Sequence, residues 1–363
     1  MRIACICGKP FQLFNIINYI SQMTNEEDTI DLYINVSCFN DKTLENLKRE
    51  RFSNILYYEA ILDNDYIKYY YILISLFYPS FVLKKLVLNY DSCPVHKYDR
   101  ILISHVALFP YAFIQRNSEN ADVVILEDGI GTYVRTDQKS LKFKIIWLVL
   151  WNRKFRSTKS MISNRFVYRP EWLLWSQSDL SSEWIHCLQF DLKHSLTRLK
   201  ELFNYEYPAA YINAKLIYFE QNGNSFLSSS VGTKVMRIIH CATQGRYVRR
   251  KHPGMLNDNE IILDEHFDAG EQNWELLAND ISEDMILVSV NSTASIIPFE
   301  IYKKRNPCIF IYKLAEGKSK WDLQFDTFIH EKTIFENANI YTPCSIYEFK
   351  ELLERLLKRN GCK

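Results

Sequence analysis

Residues 2–36 read RIACICGKPFQLFNIINYISQMTNEEDTIDLYINV, and this stretch decides the fold class. The apolar run at 3–7 is typical of a buried strand, 11–23 has apolar residues at helical spacing, and 30–36 predicts a second strand. A strand, a helix and a second strand in this order form a parallel βαβ unit. The amino-terminal part of the chain is therefore predicted to be α/β, with a parallel sheet covered by crossover helices.

The same alternation continues along the chain. Polar and aromatic residues at 201–213 interrupt it and predict a linker, and a capping box that starts at Ser345 predicts a helix over 345–358. We expect two Rossmann-like, doubly wound α/β domains, 1–213 and 214–363, facing each other across a cleft, with the last helix a candidate to pack back toward the first domain. Further short β-rich runs that predict strands are 100–104, 123–126, 216–219, 237–240, 261–263, 285–290 and 308–312.

Composition excludes several classes of protein. A length of 363 residues favours two domains over one. Lys and Arg number 44 against 43 Asp and Glu, so the formal charge of +1 supplies no global field for nucleic acid, which we do not expect as a partner. Nine cysteines without a CxxC pair predict neither a disulfide framework nor a zinc ribbon. Because the first residues lack the pattern of a secretory signal, we expect a cytoplasmic protein with reduced thiols.

Residues 69–88 form an apolar stretch that Pro79 and then Lys84 and Lys85 interrupt. A membrane-spanning helix needs about 20 consecutive apolar residues, so a spanning helix is disfavoured. We expect a pair of core helices broken near Pro79, and the alternative is a helix at a membrane interface. The basic, Trp-bearing run at 142–156 has no acidic residue. It is typical of a surface that rests on anionic lipid, or equally of a helix with a solvated basic end.

The loops that follow strands are the candidate ligand sites, because open α/β sheets bind ligands beyond the carboxyl ends of their strands. The first such loop contains Gly8 and Lys9. A glycine permits close approach of the backbone to a ligand, and the lysine could reach an anion. An ordinary strand-to-helix turn is the alternative.

The loop after the strand at 123–126 begins with Glu127 and Asp128. Two adjacent carboxylates repel each other, which prepares one of them to accept a proton near neutral pH if they are partly buried. Such an acid is a general-base candidate, and Gly129 and Gly131 would let the backbone turn sharply and admit a substrate hydroxyl. The alternative is a solvated acidic turn. The loop has no Gly-x-Gly-x-x-Gly pattern, so it is not a dinucleotide-binding fingerprint.

Two further loops carry groups that suit a phosphate. His252 follows a basic run at 246–251 and can donate a proton to a departing phosphate oxygen. The neighbouring cations would spread the negative charge of that oxygen and make it a better leaving group. The alternative for these cations is a small nucleic-acid patch. Ser292, Thr293 and Ser295 lie between a predicted strand and a helix, where hydroxyl and backbone donors can bind a phosphate or carboxylate. An ordinary helix cap is the alternative there.

Four short segments follow predicted strands in a fixed order: PFQL at 10–13, EDGIGTY at 127–133, KHP at 251–253 and STA at 292–294. Together they resemble the motifs of bacterial sialyltransferases, most closely glycosyltransferase family 52 and its polysialyltransferase relatives. The segment LIYFEQ at 216–221 is also similar to the first strand of that family's nucleotide-binding half. The resemblance covers the chain from about residue 3 to residue 312.

The resemblance implies a GT-B fold and an inverting transfer of sialic acid from CMP-sialic acid without a metal or other cofactor. The acceptor would be a terminal galactose-type sugar of a bacterial surface glycan, such as lipooligosaccharide, capsule or O-antigen. Domain 1–213 would face the acceptor, and domain 214–363 would bind the donor.

Carried onto the matching positions, Glu127 or Asp128, with Asp128 preferred, would deprotonate the acceptor hydroxyl. His252 would act as the acid toward the CMP phosphate, and Ser292 and Thr293 would hold that phosphate. The family pattern has a Ser-Ser/Thr pair, whereas this chain has Ser-Thr with another serine two residues beyond it. Which of these hydroxyls contact the donor stays open, so Ser295 is a further candidate, and the other candidates for donor contact are Lys251, Pro253, Gln221 and Gly223.

The partners implied are a nucleotide-sugar donor and a glycan or lipid-linked acceptor. Peripheral attachment to the inner face of an anionic cytoplasmic membrane and a homodimer are further expectations. Two alternatives stay open at this point. One is a transferase of the same architecture that uses UDP-glucose or UDP-galactose, and the other is a non-catalytic protein that binds nucleic acid or membrane through the basic run at 246–251.

Overall fold

The chain, seen in a computed structural model, divides into two compact units. The first contains Met1–Thr132 and Thr136–Asn204, and the second contains Tyr133–Arg135 and Tyr205–Lys363. The structure describes residues 1–59, 70–71, 74–75, 77–88, 97–104, 108–117, 121–134, 162–173, 184–220, 226–251, 266–268, 270, 272–315, 320–331 and 339–361.

A parallel sheet forms the centre of the first unit. Its strands are β1 (Arg2–Cys7), β2 (Thr29–Asn35), β3 (Asn54–Tyr58), β4 (Arg100–Ile103), β5 (Asp122–Leu126), β6 (Ile162–Val167) and β7 (Ile185–Cys187). Their order across the sheet is β3-β2-β1-β4-β5-β6-β7, and every pair is parallel. The strands predicted at 3–7, 30–36, 100–104 and 123–126 are confirmed, each to within one residue at either end.

Crossover helices cover this sheet, as a parallel arrangement requires. They include α1 (Pro10–Met23), α2 (Asp41–Leu47), α3 (Pro79–Leu86), α4 (Leu108–Asn117) and α5 (Ser195–Leu202). Helix α1 begins at Pro10, where the missing N–H costs no intrahelical bond. Its Leu13, Phe14 and Ile17 recur at helical spacing and are fully buried, which confirms the predicted helix at 11–23.

Pro79 begins α3, so the predicted break in the apolar stretch 69–88 is confirmed. A proline fits the first turn of a helix and cannot continue a preceding one. The inner side of α3 packs in one core cluster with α4 and the sheet. Among the described residues, no helix combines the length and the apolar composition that crossing a membrane requires. The basic run at 142–156 lies outside the described residues.

The second unit repeats the architecture of the first. Its strands are β8 (Leu216–Phe219), β9 (Tyr247–Arg250), β10 (Phe267–Asp268), β11 (Ile286–Ser289), β12 (Cys308–Phe310) and β13 (Ile340–Tyr341), in the order β10-β9-β8-β11-β12-β13, all parallel. Its helices include α6 (Ser230–Thr243), α7 (Trp274–Asp280), α8 (Ile297–Tyr302), α9 (Lys320–Glu331) and α10 (Ile346–Gly361). The strands predicted at 216–219, 285–290 and 308–312 are confirmed as β8, β11 and β12. The run 261–263 lies outside the described residues.

The strand predicted at 237–240 is wrong, because these residues lie inside α6. Ser229 caps that helix by accepting a hydrogen bond from the Gly232 N–H at 3.0 Å. Val235 and Ile239 stand one helical turn apart and are fully buried, so the apolar residues of this segment follow helical spacing. The actual strand, β9, comes after the helix and contains part of the basic run that was assigned to a loop.

The carboxyl-terminal helix is confirmed as α10. The Glu348 N–H donates to Ser345 Oγ at 3.1 Å, and the Glu348 carboxylate accepts a hydrogen bond from the Cys344 N–H at 2.7 Å. The two side chains therefore satisfy backbone donors at the start of the helix, as the sequence pattern indicated.

The division between the units falls at 204/205, whereas the sequence placed the domain boundary at 213/214. Tyr211 explains the difference. This tyrosine ends a short 3-10 turn, is fully buried, and donates a hydrogen bond to the carboxylate of Asp268 in the second unit. Tyr211 thus anchors the polar, aromatic segment at 205–213 to the second unit, although most other residues of the segment are exposed.

Candidate functional site

In both sheets the strand order follows the Rossmann pattern 3-2-1-4-5-6, so each has a point where the winding of the chain reverses. Ligands of such sheets bind beyond the carboxyl ends of the strands at this point. In the first unit the point lies between β1 and β4, whose ends lead into Gly8 and Ser104. In the second it lies between β8 and β11, which lead into Glu220 and Val290.

The buried side chain of Gln12 connects two of the predicted loops in the first unit. Its Oε1 accepts a hydrogen bond from the Gly8 N–H at 2.7 Å, and its Nε2 donates to Asp128 Oδ1 at 3.0 Å. Asp128 is half-buried, and its carboxylate is oriented by this amide. A Cβ at Gly8 would lie 3.2 Å from Gln12 Oε1, so the glycine allows the close approach that the arrangement needs.

Glu127, the other acid of the pair, is fully buried. Its Oε2 accepts a hydrogen bond from the Tyr168 N–H at 2.8 Å, and its backbone carbonyl accepts one from Asn15 Nδ2 at 2.9 Å. Asn15 Oδ1 in turn accepts from the Tyr168 hydroxyl at 2.7 Å. Glu127 therefore ties the end of β5 to α1 and to the end of β6, while Asp128 is the acid that reaches solvent.

Backbone geometry confirms a sharp turn after the acidic pair. Gly129 has a φ of 80°, in the left-handed region that favours glycine. The Asp128 N–H donates to Thr132 Oγ1 at 2.9 Å and closes the turn. Gly131 is exposed, and a Cβ there would meet no atom within 4 Å, so space alone does not require this second glycine.

In the loop after β1 the Lys9 side chain is exposed. The backbone carbonyl of Lys9 accepts hydrogen bonds from the N–H groups of Gln12 and Leu13 at 3.0 and 3.2 Å.

Cys7 precedes this loop and is fully buried, and burial raises the pKa of its thiol well above the ordinary value. It is therefore not a thiolate nucleophile at neutral pH. Ser104, which the sequence analysis missed, is buried at the end of β4, and its Oγ makes no hydrogen bond within the described part of the chain.

In the second unit the predicted hydroxyl cluster separates into accessible and internal members. Ser289 Oγ accepts hydrogen bonds from the Ser292 N–H at 3.1 Å and from Ser295 Oγ at 2.9 Å. Ser295 is fully buried, so its hydroxyl stabilises the turn. Ser292 and Thr293 are half-buried, and Ser292 Oγ accepts from the Ala294 N–H at 3.3 Å.

The basic run does not form a solvent-exposed patch. Arg249 and Arg250 lie in β9, Arg250 is buried, and Lys251, the first residue after the strand, is 9% exposed. Arg249 and Glu220 form an ion pair beside the end of β8, with 2.6 Å between Arg249 Nε and Glu220 Oε1. The Lys251 N–H donates to the Asp268 carbonyl at 2.9 Å. These contacts place Lys251 at the carboxyl edge of the sheet, where the sequence predicted a donor-binding loop.

Arg250 organises this edge of the second unit. Its guanidinium donates to the Tyr211 hydroxyl at 3.1 Å, to the Asp268 carboxylate and to the Gln272 carbonyl, and it lies 5.6 Å from the centre of the Trp274 ring. Trp274 Nε1 donates to the Ala294 carbonyl at 2.9 Å. Sequence analysis missed Trp274, which joins the start of α7 to the hydroxyl-bearing turn. The predicted candidates His252, Pro253, Gln221 and Gly223 lie outside the described residues.

No protein-family model matches the chain, and no curated protein matches it. Solved structures do. The spinosyn rhamnosyltransferase SpnG is similar with a TM-score of 0.53 and 10% identity over 99% of this chain and 91% of that chain. A UDP-GlcNAc 2-epimerase from Neisseria meningitidis is similar with a TM-score of 0.50 and 15% identity, over 99% of this chain and 100% of that chain. The wall teichoic acid polymerase TagF is similar with a TM-score of 0.51 and 11% identity, over 99% of this chain and 80% of that chain.

At these identities the likeness establishes the fold. It confirms two parallel-sheet, Rossmann-like units of the GT-B class. One SpnG structure contains thymidine diphosphate, and the epimerase structure contains UDP-GlcNAc. A transferase, an epimerase and a polymerase share the architecture, so the chemistry of this chain has to be argued from its own residues.

Proposed function

We propose that this chain is an inverting glycosyltransferase that transfers sialic acid from CMP-sialic acid to a terminal galactose-type sugar of a bacterial surface glycan, such as lipooligosaccharide, capsule or O-antigen. The observation that carries the transferase proposal is the arrangement at the end of β5. There a half-buried Asp128 is oriented by Gln12, and the neighbouring Glu127 is bound internally. The donor is proposed from the resemblance of four segments to the sialyltransferase motifs.

In the proposed reaction Asp128 accepts the proton of the acceptor hydroxyl as the hydroxyl oxygen attacks the anomeric carbon. The bond from that carbon to the CMP phosphate oxygen breaks, and His252 donates a proton to the phosphate. A single displacement inverts the anomeric centre. Acid and base help contributes roughly 10²–10⁴-fold per group, and CMP is already a good leaving group, so we propose that no metal is needed.

The second unit is proposed to hold the donor at the carboxyl edge of its sheet. Lys251 would supply a positive charge to the nucleotide phosphate, and Ser292 and Thr293 would supply hydroxyl donors. The half-buried positions of these two hydroxyls support that role. The internal hydrogen bond of Ser295 supports a part in holding the turn instead.

The donor can be identified by comparing nucleotides. We expect CMP to raise the unfolding temperature of the protein more than UDP or thymidine diphosphate does, since a bound ligand stabilises the folded state. Incubation with CMP-sialic acid and lactose in the presence of a chelator should yield sialyl-lactose by mass spectrometry. If UDP stabilises the protein and glucose or galactose is transferred, the donor is UDP-glucose or UDP-galactose and not CMP-sialic acid. Conversion of UDP-GlcNAc without an acceptor would replace the transferase assignment by an epimerase.

The role of Asp128 has a matched control at the start of the strand that precedes it. Asp128→Asn should lower the transfer rate by about 10²-fold or more without changing the stabilisation by CMP. Asp122→Asn should leave the rate unchanged, because that exposed acid lies at the opposite end of β5. His252→Ala should also lower the rate. Full activity of Asp128→Asn would refute the proposed base.

A further inference from the structure

Several apolar side chains remain exposed on α3 and on the two residues that precede it. Contiguous exposed apolar side chains of this kind mark interaction surfaces, whereas single ones are ordinary. Phe77 is 75% exposed, Tyr78 69% and Phe81 49%. Thirteen large hydrophobic side chains are exposed among the described residues, and five of them fall in one short segment: Tyr70, Phe77, Tyr78, Phe81 and Leu88.

The opposite side of α3 is anchored in the core of the first unit. Val82, Leu83 and Leu86 are buried in one cluster with residues of α4 and the sheet. Residues three and four apart share a face of a helix, so Phe81 lies on the same side as the exposed lysines at 84 and 85. The orientation of the helix is therefore fixed, and it presents aromatic and basic side chains together.

The charge of this segment favours lipid over protein as the occupant. Residues 77–88 contain two lysines and no acidic residue. The centres of protein–protein interfaces are depleted in lysine. Surfaces that lie on membranes combine aromatic side chains with lysines, whose long stems let the ammonium groups reach the phosphates while the rings enter the apolar layer.

We propose that Phe77, Tyr78, Phe81, Lys84 and Lys85, called here the α3 face, dock the protein on an anionic lipid bilayer. The rings insert at the boundary between headgroups and acyl chains, and the two ammonium groups bind lipid phosphates. Docking would hold the first unit beside lipid-linked glycans. The proposal concerns binding alone, so it can fail or succeed separately from the transfer reaction.

The test uses the full chain and two kinds of vesicle, phosphatidylcholine alone and phosphatidylcholine with about one third phosphatidylglycerol. Flotation should recover the protein with the anionic vesicles and not with the neutral ones. Phe77→Ser/Phe81→Ser should weaken binding at least about tenfold, since the variant lacks two rings that would otherwise be buried in the bilayer. Lys84→Ser/Lys85→Ser should weaken it roughly 30-fold, because each lysine near an anionic surface contributes about a factor of five.

The control variant is Tyr347→Ser/Lys350→Ser on α10, which removes an equally exposed aromatic ring and lysine from the other unit. It should bind vesicles like the wild type, and all variants should keep the wild-type unfolding temperature. The proposal is overturned if the wild type does not bind anionic vesicles, or if Phe77→Ser/Phe81→Ser binds as tightly as the wild type. It is also overturned if light scattering shows a dimer that the phenylalanine substitutions dissociate while vesicle binding is absent.

Discussion

Replacing Arg250 by methionine should destabilise the second unit more than any surface substitution. Arg250 is 5% exposed, and its guanidinium bonds Tyr211, Asp268 and the backbone of Gln272. Methionine fills much of the same volume but donates no hydrogen bond and carries no charge. Breaking a buried ion pair by removing one partner costs about 3–5 kcal/mol, since the other charge stays buried. A unit of this size loses about 2–4 °C per kcal/mol, so its unfolding temperature should fall by roughly 10 °C.

A double-mutant cycle measured by urea unfolding separates the ion pair from the loss of packing. Asp268 also accepts a hydrogen bond from the Gly270 N–H at 2.9 Å, which an asparagine oxygen can keep. Arg250→Met, Asp268→Asn and the double variant should therefore show a coupling energy above about 1.5 kcal/mol. Lys350→Met, at an exposed position of α10, should change stability by less than about 0.5 kcal/mol. A cost below about 1 kcal/mol for Arg250→Met, or no coupling, would refute the reasoning.

Three further outcomes follow from single contacts. Gln12→Glu would place a second carboxylate beside that of Asp128, so the acid limb of the pH–rate profile for transfer should move to higher pH. An unchanged acid limb would argue against the positioning role of Gln12. Burial raises the pKa of Glu275 to about 7. Because the pKa in the folded state exceeds that in the unfolded state, the wild type loses stability as the pH rises from about 4.5 to about 7. Glu275→Gln should therefore be more stable than the wild type by about 1–3 kcal/mol at about pH 8, and no more stable at about pH 4. Urea unfolding at both pH values would measure this difference. Ser295→Ala removes the bond to Ser289 and should cost about 1 kcal/mol in urea unfolding, yet leave CMP binding by calorimetry unchanged.

Local sequence was sufficient where one periodicity dominates a segment. Strands β1, β8 and β12 consist almost entirely of apolar residues, and α10 has a capping pair before its apolar spacing. Strands β6 and β7 were missed because the first contains Ser, Asn and Arg and the second has three residues. The helix α6 was mistaken in part for a strand because its apolar residues at 238–239 are β-branched, a local preference that packing overrides.

The amino-acid sequence by itself determined the alternation of strands and helices, the two parallel sheets and the placing of an acidic pair at a strand end. Only the tertiary structure decided which acid of the pair reaches solvent. Their partners Gln12, Asn15 and Tyr168 lie 116, 112 and 41 positions away, so no local pattern contains them. Neighbouring residues at a strand end point to different surroundings, and the free energy of burying each carboxylate depends on donors that folding alone brings within hydrogen-bond distance.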